Sequence, residues 1–461
     1  MSGRRCLLAV IASATVAAAA GCGSGATSSG LPPGRSLGTP NTSLAKERQL
    51  IKHVVLIIEE NRSFDNMFNG YPGANTAQVG TINTGQVIPL QQISLAAGFN
   101  ISHKGKDFFT SYDKGKLDGF NLVTAGNVGN AHGYVIVPPD PEYAYVPPQE
   151  NKPYWLMASQ FSLADEAFQS NIDASFIAHQ YLIRGWANSG VDNPTGTPWS
   201  CDVPDSINQI STLLANQKYG PMIPACFDGT TIADELESKG LGWHFYAPQI
   251  VYPVLPSGPQ PDYGEVWSAY GSIRHIRFSP HWGTDVRWPE TRILTEVPAG
   301  ELESVTWITP KLENSDHPSC FTTNGPSWVS SIVNTIGKSK FWDSTVIFVL
   351  WDDAGNWYDH VPPPLLDYDG PGFRVPIIAI SPYSRHGQVI HTQYETASIL
   401  KFIENLYDLP SIAAADTRAK DMTDMFDFNQ SPQPFKTIPA PLPPSFFLRQ
   451  SSKTYDPPDD L

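Results

Sequence analysis

The sequence predicts an α/β fold built on a mostly parallel central sheet sandwiched by helices, with a loop-rich rim. Three observations predict it. Four short apolar runs (53–58, 305–308, 345–351 and 375–380) are rich in β-branched residues and do not alternate, as expected of strands buried on both faces. Stretches of helical spacing fall between them at 176–184, 231–239, 326–336 and 394–406, and strands alternating with helices form parallel sheets. Finally, 36 glycines and 42 prolines are too many for a helical bundle and fit a domain rich in loops.

Composition removes other classes. A chain of 461 residues with 41% hydrophobic and 11% aromatic side chains is not a disordered protein. Forty-five acidic against thirty basic residues give a net charge of −15, which argues against a reader of nucleic-acid phosphates. No CxxC or Cys/His zinc spacing occurs.

In chain order, residues 1–21 read as a secretory signal, with Arg4 and Arg5 before an apolar stretch too short to span a membrane. Ala19-Ala20-Gly21-Cys22 resembles a bacterial lipobox, so Cys22 is expected to carry a lipid anchor to a membrane. Residues 22–44 contain the anchor site and a Gly/Ser/Thr/Pro-rich flexible linker, and 45–430 form the catalytic domain. The irregular segment 66–160 is too long for an ordinary connection and is expected to build a rim over the site. Cys201 and Cys226 bracket a turn-rich segment and are expected to form a disulfide, which export permits, leaving Cys320 over. The Pro-rich tail 431–461 reads as an extended strap or a loose end.

Two of the strands run into acids. The first continues as Glu59-Glu60-Asn61-Arg62-Ser63-Phe64-Asp65, and the third as Asp352-Asp353-Ala354-Gly355-Asn356-Trp357-Tyr358-Asp359-His360. Ligands of open α/β sheets bind outside the carboxyl ends of the strands, where carboxylates and an Asn carbonyl make an oxygen-rich site for a divalent cation. Either cluster alone reads as a solvated turn. Ser175, with His179 one turn further along a helix, reads either as an N-cap or as a nucleophile whose phosphate would face the helix N–H groups. His103, His275, His317, His360 and His391 lie in polar contexts and suggest hydrogen-bond donors to an anion.

Taken together, these motifs resemble the bacterial phosphoesterase family, which contains phospholipases C and related acid phosphatases. The resemblance rests on Glu60-Asn61-Arg62-Ser63-Phe64-Asp65, Gly115–Phe120, Ala174-Ser175-Phe176 with His179, Cys226-Phe227-Asp228, residues 242–247, Asp316-His317-Pro318, Asp352-Asp353 with Tyr358-Asp359-His360, and residues 391–400. It spans roughly residues 50–430. It implies an alkaline-phosphatase-like fold and one divalent metal ion held by Glu60, Asn61, Asp352, Asp353 and Ser175, with Ser175 as the nucleophile. His317 matches a family histidine at the phosphate, and His317 or His275 is expected to hold phosphate oxygens or protonate the leaving group. His103, His179 and His360 are expected on the substrate side. Asn356 and Asn69 stand where relatives place glycine, which bears on loop shape.

The implied reaction is hydrolysis of a phosphate ester through a phosphoserine intermediate, with phospholipase C-type diester cleavage favoured and monoester cleavage by an acid phosphatase the alternative. A non-catalytic ligand-binding lipoprotein would be expected to lack a nucleophile or ligand, and none is missing. The absence of a GxSxG elbow counts against a metal-free serine hydrolase. Three carboxylates around a divalent cation leave a net −1, so imidazolium is expected to offset the substrate's charge and to set an acidic optimum.

Overall fold

The five residues Val54–Ile58 have no exposed side chain, and the sheet is built around them. In the computed structural model, which describes residues 42–126, 135–196, 198–250, 263–264, 267–451 and 453–454, eight strands form the central sheet. They are β1 (His53–Glu59), β2 (Ser162–Ala164), β3 (Trp243–Tyr246), β4 (Val286–Arg287), β5 (Val305–Ile308), β6 (Thr345–Trp351), β7 (Ile377–Ile380) and β8 (Val389–Ile390). Their spatial order is β4-β3-β5-β1-β6-β7-β2-β8. All neighbours are parallel except at β7, which runs antiparallel to both β6 and β2. Residues 1–41, where the signal segment, the Cys22 anchor and most of the linker are expected, lie outside the described residues. Residues 41–461 form a compact unit by themselves.

The period of two along a strand divides the core. Val54, Leu56 and Ile58 of β1, with Val346, Phe348 and Leu350 of β6, face one apolar cluster; Val55 and Ile57, with Ile347 and Val349, face the other. Helices cover both faces: α1 (Thr42–Leu50), α2 (Gly105–Tyr112), α3 (Lys152–Gln160), α4 (Ser175–Arg184), α5 (Gly325–Gly337) and α6 (Ser398–Tyr407) are the longer ones. On α5, Trp328, Val329, Ile332, Val333 and Ile336 recur at helical spacing and face the second cluster. Burying each such side chain contributes about 1.5–3 kcal/mol.

The described parts of segment 66–160 meet the loops that follow β1 and β6. Val146 N–H donates to Asn66 O (2.8 Å) and Tyr358 N–H to Glu142 O (3.0 Å), so the rim is tied to the loops that carry the acids. Tyr143 stacks on Tyr358 at 4.8 Å and Tyr154 packs edge-on against Trp351 at 4.9 Å, both fully buried. Over residues 431–451 the tail is a strap. Phe435 packs on Trp342, Phe447 packs on Trp328 at 5.3 Å, and Ile438 exchanges two hydrogen bonds with the Asn334 side chain of α5.

Candidate active site

The register of the sheet builds the acidic cluster. Glu59 pairs with Trp351, so the two residues after each strand leave the sheet side by side. Asp352 N–H donates to Glu59 O (2.9 Å), Asn61 N–H to Asp352 Oδ1 (3.0 Å) and Arg62 N–H to Asp353 O (3.0 Å). Asn61 takes a left-handed conformation (φ 59°) that Asn tolerates. A Cβ on Gly355 would lie 2.5 Å from Asn61 O, so only glycine fits there.

Helix α4 brings the nucleophile candidate. Ser175 is its first residue, and Ala174, not Ser175, occupies the cap position. The Phe176 amide is taken by Asn193 Oδ1 (3.0 Å). Ser175 Oγ turns instead to the cluster, 3.3 Å from Asp353 Oδ2 and 3.5 Å from Asn61 Oδ1. One turn on, His179 Nε2 lies 3.0 Å from Glu60 Oε1 and 3.6 Å from Asp352 Oδ2. Its expected place was the substrate side; the helical spacing that puts Ser175 at Asp353 puts His179 among the carboxylates.

The other histidines separate. His103 Nε2 accepts from Asn61 Nδ2 (3.0 Å) while Nδ1 donates to Ile101 O (2.8 Å), so this ring turns the Asn61 carbonyl towards Ser175. His317 is buried on the loop after β5, its Nδ1 2.8 Å from Ser319 Oγ and its ring beside Trp267. Before it, Asp316 accepts from the Tyr154 hydroxyl (2.7 Å), and burial pushes its pKa up to about 6. His275 is not brought to the cluster: it forms a partly exposed pair with Asp234 (2.8 Å) in the first turn of another helix. His360 also stands apart. Its Nδ1 donates to Asp65 Oδ2 (2.6 Å) and its Nε2 to Asn75 Oδ1 (3.0 Å). Burial depresses that imidazole, but the Asp65 bond outweighs it and the pKa rises. Asp65, Asp359 and His360 have the spacing of a metal site, yet Arg374 closes it with two bonds to Asp359 (2.8 and 3.1 Å), making it a buried brace. His391, in a polar context in the sequence, pairs with buried Asp165 at 2.9 Å.

Sequence reasoning missed several neighbours. Gln169 Oε1 accepts from Ala354 N–H (2.9 Å), and a small cavity beside Asp353 is lined by His103, Gln169, Asp173 and Asn356. Burial, with Asp192 and Asp353 close by, holds the Asp173 carboxyl well above the usual range. Only the position of Asp173 two residues before Ser175 hinted at this.

The donor set fits a divalent cation. Glu60, His179 and Asp352 offer ligand atoms that all lie within 4.8 Å of one another, and Asp352 Oδ2 is buried without a hydrogen-bond partner. Asn61 Oδ1, Asp353 and Ser175 Oγ adjoin them. Three buried carboxylates beside one imidazole repel each other strongly unless a cation joins them. Oxygen donors with one imidazole suit several divalent ions.

A parallel sheet ending in a carboxylate cluster, with a hydroxyl at a helix N-terminus, is the equipment of a phosphate-ester hydrolase. The chain belongs to the phosphoesterase family, whose model matches residues 51–410. It is 24% identical over 437 residues to phospholipase C A of Mycobacterium tuberculosis, covering 83% of this chain and 78% of that protein. It is 21% identical to the non-hemolytic phospholipase C of Burkholderia pseudomallei, covering 84% of this chain and 61% of that one. Among solved structures, a protein in the alkaline phosphatase superfamily from Vibrio parahaemolyticus is similar at 9% identity and TM-score 0.33, over 82% of this chain and 72% of that one. The chain is accordingly a hydrolase acting on phosphate esters.

Proposed function

We propose that the chain is an exported, lipid-anchored phosphoesterase that cleaves phosphodiesters of the phospholipase C type through a phosphoserine intermediate. The observation that carries the mechanism is Ser175 Oγ, held 3.3 Å from Asp353 Oδ2 and 3.5 Å from Asn61 Oδ1 at the start of α4. Glu60, Asn61, Asp352, Asp353 and Ser175 would hold the cation, with His179 beside them. When bound, it would lower the pKa of the hydroxyl and offset charge on the phosphate. Ser175 Oγ attacks phosphorus, forming the seryl O–P bond as the bond to the alcohol breaks, and the leaving oxygen takes a proton. Water then cleaves the seryl ester, its oxygen bonding to phosphorus as the seryl O–P bond breaks and one of its protons passing to Oγ. His317, buried on the loop beside β1, is the residue suited to holding phosphate oxygens.

The relatives' names support the diester reading. Monoester cleavage by an acid phosphatase with the same core is the second reading. Hydrolysis of p-nitrophenyl phosphate and p-nitrophenylphosphorylcholine by residues 41–461, from pH 5 to 9 with and without chelator, separates them. Preference for the choline diester is expected, with an optimum below neutrality, loss on chelation, and a drop of at least ~10³-fold in Ser175→Ala. Preference for the monoester identifies an acid phosphatase, and an alkaline optimum sinks the imidazolium account. Metal-independent activity rejects the mechanism. Activity on neither ester with divalent ions added leaves the binding lipoprotein. Acyl labelling of the full chain, lost in Cys22→Ser, is the expected sign of the anchor.

A further inference from the structure

We propose that the hairpin 207–224 is the surface by which this molecule docks on a lipid–water interface. The inference rests on the reading that the site accepts a phospholipid. Residues 206–226 contain no acid and one lysine, Lys218, in a chain with fifteen more acids than bases. In the fold they form an antiparallel pair, Gln209–Thr212 with Ile223–Pro224, beside Gly190–Val191. Ile210 and Leu213 face inward and are buried. The outer side is apolar as well: Ile207 is 57% exposed, Leu214 43%, Tyr219 40% and Met222 45%. Apolar side chains projecting beside a cation, on a stretch that carries no carboxylate of its own, suit acyl chains lying beneath lipid phosphates.

The hairpin also reaches the site. Tyr219 Oη donates to Asp192 Oδ1 (2.9 Å) and accepts from Lys106 N–H (3.0 Å), at the start of α2. Gly105 N–H donates to the same Asp192 oxygen, and Asp192 N–H donates to Asp173 Oδ2 (2.8 Å). Gly105 is two residues from His103, and Asp173 two from Ser175. The Cys201–Cys226 disulfide closes the base of the hairpin. A lipid layer on this face is therefore linked through Tyr219, Asp192 and Asp173 to the turn that precedes the nucleophile, with the exposed Lys106 and Lys218 available to its phosphates.

The test is sedimentation of residues 41–461 with vesicles of phosphatidylcholine, alone or mixed with phosphatidylglycerol. A Ser175→Ala background keeps the lipid intact. The parent is expected to bind; the double variant Leu214→Ser/Met222→Ser is expected to lose roughly tenfold or more of its vesicle partitioning. Lys218→Glu is expected to lose binding mainly on the anionic vesicles. With Ser175 restored, both variants are expected to hydrolyse soluble esters like the parent, which reports an intact fold. A parent that ignores both vesicle types, or a double variant that binds as the parent does, overturns the proposal. Loss of binding in the variants of a protein that hydrolyses neither ester keeps the docking surface and rejects the proposed function.

Discussion

Ser175 and Asn61 meet because a small number of side chains hold them, and His103 is the one whose removal is most informative. By accepting from Asn61 Nδ2 it leaves Asn61 Oδ1 facing the nucleophile. His103→Leu is expected to weaken divalent-metal affinity roughly 10- to 100-fold, with His103→Gln recovering part of it. Titration calorimetry of the metal reads this apart from activity. Glu60, Asn61, Asp352 and Asp353 could be set side by side from the sequence because they follow within three residues of two apolar runs that read as buried strands. His179 was legible as a neighbour of Ser175, though not as a neighbour of Glu60, since one helix face serves either side of a cluster. Asp173 and Gln169 were hidden because loops from elsewhere in the chain decide what they touch. His275 misled: a polar context describes a solvated pair with Asp234 as well as it describes an active site.

At the scale of elements, the long buried strands and helices could be read, whereas four strands of the sheet could not. Three of these are β2, β4 and β8, only two or three residues long; the fourth, β3, is Trp-His-Phe-Tyr, an aromatic run without the aliphatic signature. The tail's choice between strap and loose end was settled by contacts on α5, which no local pattern announces. Phe447 is fully buried against Trp328. Phe447→Ala is expected to cost about 3–5 kcal/mol, measured by denaturant unfolding. An unchanged midpoint would mean that the strap contributes little to the core beneath it.

Across the whole molecule, several carboxyls outside the metal-ligand cluster are buried. Burial, with Asp421 adding to it, pushes Glu47 up to about 8; burial likewise takes Glu142 to about 8 and Glu290 to about 7. Their ordinary value is 4.5, so the folded protein holds protons that the unfolded chain has released, and stability falls as pH rises through that window. His360, raised in the fold, has the same sign above its ordinary 6.5. His244, pulled down to about 4 by burial, acts oppositely and only below 6.5. The melting temperature is therefore expected to fall by several degrees between about pH 6.5 and 8. Glu142→Gln is expected to flatten that slope, and a melting temperature rising over the same interval would contradict the account.

The pairing of Glu59 with Trp351 has a consequence for how such a chain can change over generations. Substitutions within β1 or β6 alter packing by degrees, and drift can accommodate them. Loss or gain of one codon in either strand is another matter. The ladder re-forms one step along, the two acidic pairs separate by about 3.3 Å, and every side chain beyond the lesion changes face. A lineage can thus keep a folded sheet while losing its chemistry in a single event. Length variation should accordingly collect in the rim and the hairpin, and stay out of the two central strands.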